Sequence, residues 1–586
     1  MKNKKFRNFV FQTILLLIVI SASFMLLDKF GREKQGSSKS EEAGQTIAVP
    51  SQKISALIIP HHDLMKDERA DFFASLKNSV SSKTIILVSP NHFNSGNAQV
   101  ITTDKEWQLA SGKISPGTEL AHQIVSLGLA ADDGAAFVNE HGILNILPDI
   151  SANFSNSKVI PLIIRQNTSR AVMDSLAKGL YQICIDNCLV ISSVDFSHYQ
   201  PGALAEIHDS LSIKALTNLD EDMIWKAEVD SNQSLYLAMK FAKSNNTDKF
   251  NLAANTNSGK LANSADAEST SYIVGWYGTG KSQKITNDFS FIVGGDMMFD
   301  RYINYKYPGM KIYDIWNDFG QRVFWGTDLS VANLEGPISP SPRPTLKSET
   351  MVFNFPPETA NVLSWLGLNA VSLANNHSGN NGKAGFDNTV KVLNEKGIAS
   401  IGKQDGFDAT GIKEFSDGNT KLTVFAIDAL SSKADLTAQI KQKKAEGSLV
   451  LIFPHWGVEY APKHSGGQED LAHSWIDAGA DIVIGSHPHV IQDAEIYKNR
   501  PIFYSMGNLL FDQDFSKETQ RGLIIAGRFH ENSLDLVLLP TKSTNYKPSL
   551  LTGDEKMNLI KDFRAYLGAP ICSDNYGCDK ITINLK

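Results

Sequence analysis

Eight of the fourteen histidines in this chain of 586 residues stand at or just beyond the end of a short apolar run: His61, His62, His92, His198, His377, His455, His487 and His489. A single histidine in such a place is ordinarily a hydrogen-bonded loop residue. Repetition changes the reading, because open α/β sheets gather ligands at the carboxyl ends of their strands, where these side chains would converge. In the first half the runs end as Pro60-His61-His62-Asp63, Ser89-Pro90-Asn91-His92 and Asp195-Phe196-Ser197-His198, and Glu140-His141 opens another expected loop. Neutral imidazole binds Fe, Cu and Zn, and carboxylates beside it harden such a site toward iron. In the second half five successive runs end in Asp296, Glu335, Asn376-His377, His455 and His487-Pro488-His489. That mixed oxygen and nitrogen set suits two divalent ions about 3.5–4 Å apart with one carboxylate bridging them, and the matching chemistry is attack of an activated water on phosphorus.

The elements that must position these groups follow an α/β pattern, with short apolar runs alternating with longer amphipathic segments. Strands are expected at Ile54 to Ile59, Thr84 to Val88, Val159 to Ile164 and Leu189 to Ser192. A second series runs through Phe289 to Val293, Leu329 to Ala332, Ala370 to Leu373, Leu449 to Phe453 and Ile482 to Ile484. Helices are expected at Glu358 to Leu366, Asn388 to Lys396 and Gln468 to Ala478. The polar Gly/Ser/Lys stretch Gly278 to Asp288 reads as a boundary. The expected organisation is therefore a cytoplasmic tail and anchor over 1–34, a tether over 35–52, a first α/β domain over 53–277, a linker over 278–288, a second domain over 289–545 and a C-terminal tail over 546–586.

At its histidine endings the first half, about Ile54 to Tyr277, resembles the Memo family, whose fold is related to the class III extradiol ring-cleaving dioxygenases. The resemblance rests on Pro60-His61, Asn91-His92, Glu140-His141 and Asp195-Phe196-Ser197-His198-Tyr199. It implies His61, His92 and His198 as ligands of iron or copper, with Glu140, His141 and Asp195 lining the pocket. The chain departs from the family pattern at His62-Asp63, where Ala-Gly is usual, and has no clear counterpart of a late pocket cysteine.

The second half is similar to the calcineurin-like metallophosphoesterases, an αββα sandwich fold, and in detail to their CapA branch of poly-γ-glutamate capsule synthesis proteins. Gly295-Asp296-Met297-Met298, Asn333-Leu334-Glu335-Gly336, Asn375-Asn376-His377, His455-Trp456-Gly457, Gly485-Ser486-His487-Pro488-His489 and Tyr504-Ser505-Met506-Gly507-Asn508 carry that similarity. It implies two divalent ions (Mn, Fe or Zn): Asp296 and His489 on the first, Glu335 bridging, Asn376, His455 and His487 on the second, and His377 either donating a proton to the leaving group or steadying the transition state. Met298 stands where the wider family has a histidine ligand, and Glu335 where it has a shorter aspartate. The first ion is thus a ligand short, a gap that Asp300 or Glu459 could fill.

Composition bounds the rest. Lys plus Arg at 56 against Asp plus Glu at 63 gives a net charge of -7, so nucleic acid is not an expected partner. Residues Phe9 to Leu27 carry no charge and follow Lys2, Lys4, Lys5 and Arg7. At 1.5 Å per residue they are long enough for a transmembrane anchor, although Ser21, Ala22 and Ser23 also permit a cleaved signal peptide. The expected location is the cell membrane with both domains outside the cytoplasm, where Cys184/Cys188 and Cys572/Cys578 are either disulfides or buried thiols. Expected partners are the membrane, an anionic polymer or phosphoester, and other capsule-synthesis proteins. Two rivals to a metal-dependent hydrolase are a non-catalytic factor binding anionic polymer, and a redox metalloenzyme acting through the first half.

Overall fold

The computed structural model describes residues 52–586 apart from 78, 81–83, 111, 185–186, 265–267, 282–287, 321, 341–350, 431–434, 571 and 573–575. The stretch 9–27, on which the expected transmembrane anchor rests, lies outside the described residues, as do 35–51 of the tether. Among the described residues no helix is long and apolar enough to cross a membrane. The expected fold class is corrected accordingly: the chain is a mixed α/β protein whose described elements include no membrane-spanning helix.

In the first half, Ile54–Ile59, Cys188–Ser193, Thr84–Pro90 and Lys158–Ile164 lie side by side and parallel. Such a central sheet is covered on both faces and so can be apolar throughout. Ile54–Ile59 and Cys188–Ser193 are buried at every position, and Thr84–Pro90 and Lys158–Ile164 at every position but the first. Antiparallel strands Glu268–Gly278 and Lys249–Asn257 extend one edge.

The second half contains two sheets. In the first, Ala399–Ile401, Ala370–Ser372, Leu329–Leu334 and Phe289–Met297 are parallel in that order, and the sheet continues through antiparallel Arg521–His530 and Ser533–Thr544. In the other, Lys421–Asp428, Leu449–His455, Ile482–Ile484 and Arg500–Phe503 are parallel. Strand side chains alternate between faces, so each sheet builds two apolar layers. Phe291 and Val293 pack with Val424, Leu451 and Ile482 between the sheets. Ile292 and Ala332 face outward beneath Val362 and Leu363 of helix Thr359–Trp365. On the far side Val450 and Ile452 meet Ala472 and Trp475 of helix Gly466–Ala478, which begins with a Ser465/Gln468 capping box. The layers run helix, sheet, sheet, helix. The segment after Thr541, which carries no clear sequence signal, adds helix Gly553–Tyr566 and strand Lys580–Asn584, which pairs with Ser533–Thr544. All four cysteines are paired, Cys184 with Cys188 and Cys572 with Cys578.

Residues Val49–Lys586 form one unit, and helix Gly202–Asn218 shows why. It is buried nearly all round. Leu211, Ala215 and Leu216 join the first-half core, while Ala203, Leu204 and Ile207 join the outer layer of the second half. From the same helix Lys214 Nζ reaches Asp328 Oδ2 at 2.7 Å, Asp417 Oδ2 at 2.8 Å and the Asp288 carbonyl at 3.0 Å. Both aspartates and the lysine are almost fully buried. Removing one partner of a buried ion pair strands the others without solvation. Lys214→Met is expected to lower unfolding stability by about 3–5 kcal/mol, read as a shift of the midpoint in a guanidinium titration. An unchanged midpoint would show that these carboxylates need no cation.

Candidate metal centres

In the second half the ligand-bearing residues come from both sheets. Asp296 ends Phe289–Met297, Glu335 follows Leu329–Leu334, Asn376 and His377 follow Ala370–Ser372, His455 ends Leu449–His455, and His487 and His489 follow Ile482–Ile484. These parallel strands end on one side, so the side chains meet. His487 and His489 both hold left-handed backbone conformations, with φ of 98° and 59°. Such conformations are costly for residues with a Cβ and cluster at functional sites.

Two donor groups result. Ligand atoms of Asp296, Glu335 and His489 lie within 4.8 Å of one another. His489 Nδ1 donates to Asn508 Oδ1 at 3.0 Å, which leaves Nε2 facing Glu335 Oε1 at 3.7 Å. That is the usual way a second hydrogen bond fixes the tautomer of a ligand histidine. Beside it, His455 Nε2 sits 2.9 Å from Asn376 Oδ1 and 3.1 Å from His487 Nδ1. The groups are joined at Asp296, whose Oδ2 accepts from the His487 backbone N–H at 3.1 Å and whose Oδ1 accepts from Asn333 Nδ2 at 2.8 Å.

The electrostatics fit a cation. Glu335 is fully buried, its Oε1 has no hydrogen-bond partner among the described residues, and burial pushes its carboxyl well above the usual range. Burial, with His487 and His489 adding to it, holds His455 well below the ordinary imidazole value. His487 is lowered to about 4 by burial and then by His489. His489 is opposed by burial, yet the Glu335 and Asp296 charges raise it to about 9. Two neutral imidazoles whose nitrogens lie 3.1 Å apart, and a neighbouring group whose Glu335 Oε1 has no partner among the described residues, form a donor set suited to divalent ions.

His377 stands at the rim. Its Nε2 is 4.0 Å from Glu335 Oε1, its Nδ1 donates to Asn380 Oδ1 at 3.0 Å, and its ring lies 4.2 Å from that of Phe353. Burial lowers it, so the neutral ring presents a free Nε2. It opens on a cavity of about 200 Å³ also lined by Arg301, Glu459, Tyr460 and Asp512. Met298 is buried in the outer core, and its Sδ accepts the Asp300 N–H at 3.0 Å. Asp300 Oδ2 accepts from Asn354 N–H at 2.8 Å, whereas Glu459 groups with His487 and His489. Of the two carboxylates able to supplement the set, Glu459 is the one in place. The sequence reading passed over Arg301, which pairs with Asp512 and lies against Phe353 and Phe511; the signal was its position three residues past Met298.

The first half holds a second centre. His61, His92 and His141 bring ring nitrogens within 4.8 Å of one another, and His61 does the same with Asp195 and Asp230. His61 Nε2 is 3.3 Å from Asp195 Oδ2 and 3.5 Å from Asp230 Oδ2. Glu140 orients His92, accepting from its Nδ1 at 2.5 Å and its backbone N–H at 3.0 Å. Burial lowers His61 to about 4 against the pull of Asp230, while His92 is raised to about 9 against burial by its bonds to Asp230 and Glu140. Burial, then the charge of Asp230, lifts Asp195 to about 7. His198 is not in either close group; it lines the cavity beside His92 and Asp230, with its backbone N–H on Glu228 Oε2 at 2.9 Å. Asp230 was missed in the sequence because it precedes a helix rather than following an apolar run.

Fold and sites define an α/β protein with two clusters of candidate metal ligands, one in each half. Residues 36–275 match the family described as Memo-like protein, and residues 290–513 match bacterial capsule synthesis protein PGA_cap. The capsule biosynthesis protein CapA of Bacillus anthracis is 32% identical over 217 residues, covering 33% of this chain and 52% of that protein. The PGA biosynthesis protein CapA of Bacillus subtilis (strain 168) is 25% identical over 294 residues, 44% of this chain and 76% of that protein. A MEMO1 family protein of Pyrobaculum aerophilum is 29% identical over 191 residues, 31% and 68% respectively. The matched region spans about half the length of the Bacillus anthracis relative. The chain thus joins a region that matches the Memo-like family to a region that matches the capsule synthesis family PGA_cap.

Ion binding to Asp296, Glu335 and His489 requires a neutral imidazole. Because His489 holds its proton up to about pH 9, that proton competes with the ion at every lower pH. Affinity for Mn²⁺ is expected to fall about tenfold for each unit from pH 9 to pH 7. Calorimetric titration in two buffers of different ionisation enthalpy would register at least one proton released per ion; pH-independent binding would place the ion elsewhere.

Proposed function

We propose that the CapA-like half is a metal-dependent hydrolase acting on an anionic envelope polymer or a phosphoester, in capsule or poly-γ-glutamate synthesis outside the cytoplasm. The observation that carries the reading is the approach of Asp296, Glu335, Asn376, His455, His487 and His489 from two sheets as two donor groups joined at Asp296, with Glu335 Oε1 lacking a partner among the described residues. Asp296, Glu335 and His489 would hold one divalent ion, and Asn376, His455 and His487 the other. Such ions supply Lewis-acid polarisation of a phosphoryl or acyl oxygen and lower the pKa of water. His377, held neutral with Nε2 free, would take the proton released by the attacking water and pass it to the leaving group. Asn508 and Asn333 fix the orientation of His489 and Asp296. Two disulfides and the capsule family of the second half support the extracytoplasmic location.

The test is metal analysis of the whole chain together with turnover of a phosphodiester and peptide panel. Two bound ions and a loss of about 10² or more in kcat with His455→Ala are expected for the enzyme. Intact poly-γ-glutamate bound without turnover would instead assign a non-catalytic role.

The clustering of His61, His92 and His141 with Asp195 and Asp230 favours a second activity, a redox centre of iron or copper in the Memo-like half. Asp230 Oδ2 faces this cluster, 3.5 Å from His61 Nε2 and 3.8 Å from His92 Nε2. One iron or copper per chain is expected, lost in His61→Ala and in Asp230→Ala but retained in His455→Ala, with elemental analysis as the measurement.

A further inference from the structure

A cavity of about 910 Å³ adjoins the Memo-like centre, and it does not belong to that half alone. From the Memo-like half it is lined by His92, His198 and Asp230 among others. The CapA-like half contributes Asn317–Gly320 and Leu550–Thr552 to the lining. Small-molecule sites run to about 300–1,000 Å³, so this space admits a ligand of several rings.

The wall selects among ligand classes. Its cations are already engaged: Arg322 Nη1 donates to Glu228 Oε1 at 2.9 Å and the Val229 carbonyl at 3.0 Å, and Lys556 Nζ bonds Asp579 Oδ2 at 3.1 Å. Asp230, Glu268 and Asp318 add negative charge to the lining. A polyanion would find little to neutralise it. The unmet groups are acceptors. Gln200, 2% exposed, uses its Nε2 on the His198 carbonyl at 3.2 Å and leaves Oε1 without a partner among the described residues, as does Asp230 at Oδ1. Buried acceptors of this kind call for a ligand rich in donors. Tyr199 adds a flat apolar ring: the residue is 71% exposed and lines the cavity, on a backbone with φ of 57° that bulky residues avoid.

We propose that this cavity is a saccharide-binding site shared by the two halves. Sugar hydroxyls donate to Gln200 Oε1 and Asp230 Oδ1, and the C–H face of a pyranose ring rests on Tyr199. The CapA-like wall closes the far side, so the site exists only in the joined chain.

Calorimetric titration of the full chain with neutral β-1,4-linked tri- and tetrasaccharides of glucose and of N-acetylglucosamine tests this, with a γ-glutamate oligomer of equal length as the anionic comparator. At least one of these saccharides is expected to bind in preference to the glutamate oligomer. Its affinity should fall tenfold or more in Tyr199→Ala and in Thr552→Trp, which fills the cavity from the opposite half, and remain unchanged in Lys383→Ala on a distant helix. The proposal is overturned if no saccharide of the panel binds, if binding survives Thr552→Trp, or if the glutamate oligomer is preferred. Tyr199 and Thr552 are both exposed, so circular dichroism matching the parent would confirm that loss of binding is not loss of fold.

Discussion

Two buried carboxylates, Asp296 and Glu335, share one small volume in the second half, and much of the surrounding architecture makes that arrangement tolerable. Burying a carboxylate without a counter-charge is among the most expensive things a fold can do. Here the available cation is the imidazolium of His489, raised to about 9 by those same acids. The histidine is held against Asn508 and carried on a left-handed backbone that no packing preference would select. Asn333 gives Nδ2 to Asp296, and Asn375 in turn gives Nδ2 to Asn333 Oδ1. The result is a network of fixed dipoles around charges that are unfavourable until a divalent cation replaces the proton.

Much of this could be read in the sequence because strand ends are read reliably from apolar runs. Wherever a run such as Leu449 to Phe453 or Ile482 to Ile484 stops, the next polar residues must lie at the sheet's carboxyl edge. What escaped was of two kinds. Asp230 and Arg301 are contributed by segments with no run before them, and only the folded chain brings them to the pocket. His198 met the pattern of its neighbours, but the turn into Phe196–Pro201 sets it on the cavity wall rather than within the close histidine group. The strand Lys421–Asp428 and the antiparallel pair Arg521–His530 and Ser533–Thr544 also went unread. They carry none of the histidines that drew attention to the other runs.

Both centres obey the same electrostatic rule by different means. In each, one histidine is lifted to about 9 by carboxylates while its neighbours are driven to about 4 or lower by burial. Mixed protonation of this kind lets several imidazoles crowd together without every one carrying charge. It also means that both ligand sets stand partly deprotonated near neutral pH.

Helix Gly202–Asn218 presents one apolar face to each half. Were the gene for this chain to lose either portion by recombination, the survivor would inherit an oily scar at Ala203, Leu204 and Ile207 or at Leu211, Ala215 and Leu216. The two portions are in that sense obliged to be inherited together, and any drift in one is answerable to the packing of the other.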